Sequence, residues 1–193
     1  FLPSCQRGFM LKILIMQSKL DLSVSTAAPL AGDLLMPGDK SLSHRAALFA
    51  ALAEGESVID RFLVSGVTRV MLDVLTALGI GWRLEGSRLT VHGKGLYGFS
   101  QPGEALFCGN SATTIRMLAG ALAAAGTPCV LDGSQGLRKR PMDRITGPLQ
   151  LMGVPISTPN ARAPLSLAAR DAAHPLRAID YTLPVASAQV KSC

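Results

Sequence analysis

Two stretches of this chain repeat one layout at a distance of 71 residues, and that periodicity limits the possible folds more than any other feature. The first is Pro37-Gly38-Asp39-Lys40-Ser41-Leu42-Ser43-His44-Arg45; the second is Cys108-Gly109-Asn110-Ser111-Ala112-Thr113-Thr114-Ile115-Arg116. Each is a glycine, a short polar turn and an arginine, followed by an Ala/Leu-rich segment that a glycine stops. Gly38 pairs with Gly109, Arg45 with Arg116 and Gly55 with Gly126, all at the same spacing. Further on, Leu75–Ile80 matches Leu149–Val154 at a spacing of 74. An offset sustained through turn, arginine, helix and stop marks an internal repeat. Ala186-Ser187-Ala188-Gln189-Val190-Lys191 reads as a third copy beginning.

The chemistry of the repeated turn is that of an anion cradle. Ser or Thr at a helix boundary accepts from the first free N–H groups, and those N–H groups, aligned with the helix dipole, attract negative charge. Arg116, one turn inside, is expected to add a guanidinium fork. The alternative for either corner is a plain capped helix that binds nothing.

Between and around these corners the pattern alternates strand and helix. Leu20–Val24 and Leu34–Met36 read as short strands about a turn at Pro29–Gly32. Ala46–Ala53 is apolar all round, which predicts a buried helix, and Ser57–Asp60 is a strand. Thr68 is expected to cap a helix running to Leu78, with Gly79 as its stop. Trp82–Leu84 and Arg88–Val91 alternate as a hairpin. The second copy continues with a helix from Thr114, a strand at Pro128–Leu131, a helix over Pro141–Met152 with proline in its first position, and strands at Val154–Ile156 and Leu165–Leu167. The unit is strand, helix, strand, helix, strand, strand. In the loop Gly133–Pro141, the run Arg138-Lys139-Arg140 is either a solvated cationic loop or a second arm closing on the anion.

Composition narrows the function classes. Of the net charge of +6, three units come from Arg7, Lys12 and Lys19 ahead of any acid. The remaining excess is dispersed rather than striped, which argues against nucleic acid and for small anionic substrates. No apolar run reaches the roughly 18 residues of a spanning helix, so no membrane is expected. Cys5, Cys108, Cys129 and Cys193 form no C-x-x-C pair or His/Cys cluster, so no metal and no disulfide framework are expected, and the setting reads as reduced and cytoplasmic. Cys108 reads as a small buried hydrophobe, Ser43 as a cap or packing contact, and His44 as a packed or capping residue. Residues 1–15 match nothing in the repeat and read as extraneous upstream sequence, with Met16 the expected native start. The other end stops where a third helix would be getting under way, so the chain reads as a piece.

In order, Pro-Gly-Asp-Lys-Ser-x-Ser-His-Arg at 37–45, Gly-Asn-Ser-Ala-Thr-Thr-x-Arg at 109–116, Arg-Lys-Arg-Pro-Met at 138–142 and Ser-Ala-Gln-Val-Lys-Ser at 187–192 closely resemble 5-enolpyruvylshikimate-3-phosphate (EPSP) synthase, of the bacterial class that often tolerates glyphosate. The likeness runs from about Leu20 to Ser192 and covers somewhat less than half of a family member. It implies an α/β fold of the inverse α/β barrel-like kind, built of repeated βαβαββ units, with two complete units and the start of a third here. Residues 16–37 would be N-terminal strands pairing with an absent second domain, and 38–193 a substrate-binding domain truncated in its third unit.

The family transfers the enolpyruvyl group of phosphoenolpyruvate to the 5-hydroxyl of shikimate 3-phosphate, releases phosphate, and uses no cofactor. By motif, Lys40 is the catalytic position and contacts both substrates, while Ser41 and Arg45 hold shikimate 3-phosphate. Asn110, Ala112 and Thr113 face phosphoenolpyruvate, and Arg140 takes its carboxylate or phosphate. Ser187, Ala188 and Gln189 take the shikimate phosphate and ring hydroxyls. Ala112 stands where glyphosate-sensitive relatives have glycine. The proton-moving carboxylates and lysine of the family lie in the half this chain lacks, so the chain is expected to turn over little without a complementary C-terminal chain. Rival readings are a UDP-N-acetylglucosamine enolpyruvyl transferase, which differs at the first turn, an RNA 3′-terminal phosphate cyclase, whose motifs are absent, and a non-catalytic anion-binding fragment.

Overall fold

The structure, a computed structural model, describes residues 14–16, 19–21, 32–170 and 175–193, the first two stretches as backbone. The chain divides into two compact units, Phe1–Met36 and Pro37–Cys193. In the first unit, strands β1 (Leu14–Met16) and β2 (Lys19–Asp21) form an antiparallel hairpin with Ile15 opposite Leu20. The hairpin crosses the boundary drawn at residue 15, and residues 22–31, with the expected turn, lie outside the described residues. Leu34–Met36, expected as a strand, is unpaired coil with all three side chains exposed.

The second unit opens with α1 (Lys40–Leu52), whose N-cap Asp39 accepts from the Leu42 N–H at 2.8 Å. The expected start at Ala46 was late by almost two turns. An apolar pattern reports which side chains bury, whereas the hydrogen-bonded backbone begins at the cap. Lys40, Ser41 and Arg45 therefore stand on the helix itself. Nor is α1 buried all round, because Leu42 and Phe49 are exposed.

Strand β3 (Glu54–Ile59) follows, then α2 (Gly66–Ala77). The N-cap of α2 is Ser65, and Thr68 is its reciprocal partner three residues on, a capping box in place of the expected Thr68 cap. The expected hairpin forms as β4 (Gly81–Glu85) and β5 (Arg88–Lys94), and β5 lies between β3 and β4 in an antiparallel sheet.

After β6 (Leu106–Phe107) comes α3 (Ala112–Ala125), capped by Ser111 and ended by Gly126 in the left-handed conformation. Every residue from 111 to 123 is buried, with Ile115, Met117, Leu118 and Leu122 completely so. Such all-round burial is what an Ala/Leu helix without a polar face requires, and α3 is the centre of the core. Strand β7 (Cys129–Asp132), α4 (Gln135–Arg138), α5 (Asp143–Leu151), β8 (Ile156–Ser157), a 3-10 turn at Pro159–Ala161 and β9 (Leu165–Leu167) complete the second sheet, in order β6-β7-β9-β8. It is mixed, with β6 parallel to β7 and the other pairs antiparallel. Pro141 does not start α5 as expected: the Pro141 carbonyl is taken by Arg116 and the Met142 N–H by the Ala161 carbonyl.

The last element, α6 (Ala188–Ser192), packs on α3. A Cβ on Gly120 would stand 2.2 Å from the Cys193 carbonyl oxygen, so glycine is what allows that approach. Cys108 is buried as expected, and so is Cys129; burial pushes their thiols up to about 12 and about 11, leaving them protonated at neutral pH. No helix among the described residues is long and apolar enough to cross a membrane.

Candidate active site

The two glycine-led corners meet. Ser111, the cap of α3, accepts from the Thr114 N–H at 3.2 Å and from the Thr114 hydroxyl at 2.8 Å. His44, on α1 and completely buried, reaches both corners: Nδ1 is 2.7 Å from the Lys40 carbonyl and Nε2 is 3.3 Å from Ser111 Oγ. Burial, and then the nearby Lys40 and Arg45 charges, outweigh its backbone hydrogen bonds and lower its pKa below the ordinary imidazole value. Each helix start also leaves first-turn N–H groups with no partner inside the helix. The neighbouring Ser43 hydroxyl accepts from the Leu63 N–H at 2.9 Å, a packing role in line with expectation.

A third segment is fixed against the second corner. The Ser134 N–H donates to the Gly109 carbonyl at 2.8 Å, and the Cys108 N–H to the Asp132 carbonyl at 2.7 Å. Asp132 receives both forks of Arg138, Nε at 2.9 Å and Nη2 closer still. Arg162 Nη1 donates to the Lys139 carbonyl at 2.9 Å, and Arg116 Nη2 to the Pro141 carbonyl at 2.9 Å. Ties on both sides leave Arg140 as the arm of this loop, its Nη2 3.5 Å from Asn110 Oδ1. The cationic run is thus a short helix and a braced turn.

The Arg138 hydrogen bond, followed by smaller effects, holds the Asp132 carboxyl below its ordinary range. A depressed carboxylate contributes stability above its unfolded pKa and loses it as pH falls through the folded value. Protection of the amides at 137–140 is therefore expected to fall below the usual carboxylate range, and Asp132→Asn to show the lower protection already at neutral pH. Equal protection in the variant and the parent at neutral pH would exclude this brace.

The fourth segment is α6. Ser187 caps it, accepting from the Val190 N–H at 3.4 Å. Arg45 grips it through Nε and Nη2 on Ser192 Oγ, at 3.1 and 2.9 Å, and Nη2 on the Ala188 carbonyl at 3.3 Å, while its Nη1 donates to the Ser41 carbonyl at 3.2 Å. Gln189 is held from α3 on both sides of its amide: Oε1 accepts from Arg116 Nη1, and Nε2 donates to Thr113 Oγ1 at 3.1 Å.

Arg116 departs from its expected role. It is 7% exposed, with its forks committed to Gln189 and Pro141 and its Nε without a partner among the described residues. Burial, then the Arg144 and Arg140 charges, lower its pKa. Since it lies on a helix buried on every side, its guanidinium braces two segments of the site instead of facing an anion.

Of the ten positions drawn from the motifs, the structure pairs Asn110 with Arg140, Thr113 with Gln189, and Arg45 with both Ser41 and Ala188. Ala112 is the first residue of α3 and 5% exposed. Lys40 is exposed at the start of α1 and Ser187 caps α6; neither side chain bonds to another of the ten among the described residues. The sequence reading missed His44 as a link and Asp132 and Arg162 as braces, since their partners lie at spacings that carry no helical or strand periodicity. A groove of about 270 Å³ lined by Pro141, Arg144, Tyr181 and Ser187 adjoins the site. A larger depression, about 680 Å³, lies over Val130, Ile156 and Ser166 and holds none of the ten; its open sheet face offers no converging charges, so it is not the candidate.

Residues 24–193 match the family model for EPSP synthase (3-phosphoshikimate 1-carboxyvinyltransferase). Among curated relatives, the 3-phosphoshikimate 1-carboxyvinyltransferase of Salinibacter ruber is 44% identical over 89% of this chain and 40% of its own length. That of Xanthomonas euvesicatoria is 49% identical over 84% of this chain and 37% of its own. The EPSP synthase structure from Acinetobacter baumannii superposes with a TM-score of 0.78 at 40% identity, covering 83% of this chain and 36% of that one. The chain spans about two fifths of the length of these relatives. Matched by family model, by sequence and by structure at once, the chain belongs to the EPSP synthase family.

Proposed function

We propose that this chain supplies the substrate-anion-binding part of an enzyme that transfers the enolpyruvyl group of phosphoenolpyruvate to the 5-hydroxyl of shikimate 3-phosphate. The observation that carries the reading is the convergence of four motif segments, joined by His44–Ser111, Arg116–Pro141, Thr113–Gln189 and Arg45–Ala188. Helix starts backed by Lys40 and Arg140 match what two multiply charged substrates need. Lys40 would neutralise charge shared by both substrates, Arg140 and Asn110 would hold phosphoenolpyruvate, and α6 with Arg45 would hold shikimate 3-phosphate. The order from β6 to β9 fits one βαβαββ unit, that from α1 to β5 fits another without its first strand, and α6 would open a third.

The reaction must place a proton on the enol methylene carbon and take one from the attacking hydroxyl. Asp132, tied to Arg138, is poorly suited to either task, and those groups would come from a C-terminal half. The chain alone is thus read as a binding part with little turnover. We also propose that the parent enzyme tolerates glyphosate because of Ala112.

The test titrates shikimate 3-phosphate and phosphoenolpyruvate into the chain by calorimetry, then assays phosphate release with and without a separately expressed C-terminal half. Binding by the chain and turnover only with both halves is the expected result. Lys40→Ala should weaken binding by about tenfold, the lower end for a bond to a charged group, because the ammonium is exposed and screened. No binding of either substrate, with or without the other half, would overturn the reading.

A further inference from the structure

We propose that His44 is a positioning residue, held as the Nδ1-protonated neutral ring, that fixes the spacing between the start of α1 and the start of α3. The proposal rests on the reading of these starts as one anion site, and its first test does not.

The proton assignment follows from the partners. A carbonyl oxygen only accepts, so the 2.7 Å contact to Lys40 requires the hydrogen on Nδ1. In the neutral ring Nε2 is then bare and accepts from the Ser111 hydroxyl at 3.3 Å. Ser111 Oγ can supply that proton, since it already accepts from the Thr114 N–H and the Thr114 hydroxyl. The network runs in one direction, from Thr114 through Ser111 and the imidazole to the Lys40 carbonyl.

A charged ring would break this order. The second N–H would face an oxygen that has already taken two hydrogens, inside a fully buried site. Burial, and the charges of Lys40 and Arg45 on the same helix, oppose it as well and outweigh the Lys40 and Val67 backbone groups, which favour a charged ring; α3 brings the Ser111 hydroxyl to Nε2. The ring therefore acts as a neutral strut whose two ends are the carbonyl of Lys40 and Ser111, the cap of α3. Moving either end changes how far the Lys40 ammonium lies from the free N–H groups of α3.

The ¹⁵N spectrum of the chain labelled at histidine decides the first step. A bare Nε2 and a protonated Nδ1 on the buried ring are expected at neutral pH; a protonated Nε2 overturns the proposal whether or not any substrate binds. The second step compares His44→Leu with His44→Gln, whose amide oxygen restores an acceptor near the Nε2 position. The leucine variant should speed amide exchange at 112–114 and weaken phosphoenolpyruvate binding, measured with shikimate 3-phosphate present, by about 5- to 10-fold, the worth of one neutral buried hydrogen bond. The glutamine variant should stay within about twofold of the parent on the same scale. Leucine and glutamine behaving alike, or both like the parent, would sink the strut. If the parent binds neither substrate, the proposed function fails, while the ring spectrum and the exchange at 112–114 still judge His44. If the leucine variant does not fold, the spectrum and the glutamine variant decide.

Discussion

Gly38→Ala is expected to lower the thermal midpoint of the chain by about 6–12 °C, a loss of about 3 kcal/mol at the upper end of overpacking costs. A Cβ at this position would stand 2.0 Å from the Arg61 carbonyl oxygen and 2.7 Å from the Leu63 nitrogen. Both are backbone atoms, so no change of rotamer relieves the overlap, and the entry to α1 or the 61–63 segment must move. That movement also strains the Leu63 N–H bond to Ser43, which ties the first turn of α1 to the same segment. Lys40 lies two residues on, so substrate affinity should fall along with stability. Gly147→Ala in α5 makes the contrast. A Cβ there meets nothing within 4 Å, and the usual gain of alanine over glycine in a helix, about 0.5–1 kcal/mol, should appear as a small rise in midpoint. A differential scanning measurement of both variants checks the pair, and equal midpoints for Gly38→Ala and the parent would remove the close approach as the reason for this glycine.

This glycine shows what a sequence can and cannot tell. Its place at the head of both repeated corners was legible from spacing alone, as was the order of most helices and strands. The reason for glycine was not legible, because Arg61 and Leu63 are brought near by the fold and by no local pattern. Arg45 and Arg116 carry the same lesson. The repeat pairs them correctly, and in the structure both hold α6, one through Ser192 and the Ala188 carbonyl and the other through Gln189. Only the burial of α3 on every side turns Arg116 from an anion ligand into a brace. Strand β6, two residues long, gave no periodicity to read. The Asp132–Arg138 clamp spans six residues through a strand end and a short helix, a separation that no helical rule selects.

Ala112→Gly is the variant expected to change ligand preference most, with glyphosate binding about 5- to 150-fold tighter in the assembled enzyme. The proposed function and the volume of one methyl group set this direction. Ala112 is the first residue of α3, between the cap Ser111 and Thr113, and is 5% exposed. On that reading its methyl would border the corner where Asn110 and Arg140 stand, and removing it would open space for about one methylene. An added methyl in a filled pocket costs about 1–3 kcal/mol, which sets the range above. Glyphosate is longer than phosphoenolpyruvate, so it should gain more from the opening than the substrate does. A loss of helix stability cannot imitate this result. Glycine in place of alanine costs about 0.5–1 kcal/mol even in a helix interior, and destabilisation would weaken both ligands together instead of strengthening one. The decisive measurement is the ratio of the glyphosate inhibition constant to the Michaelis constant for phosphoenolpyruvate, in enzyme assembled with a C-terminal half. A ratio that falls in the variant assigns discrimination to the methyl; a ratio that stays fixed means that discrimination arises elsewhere in the site.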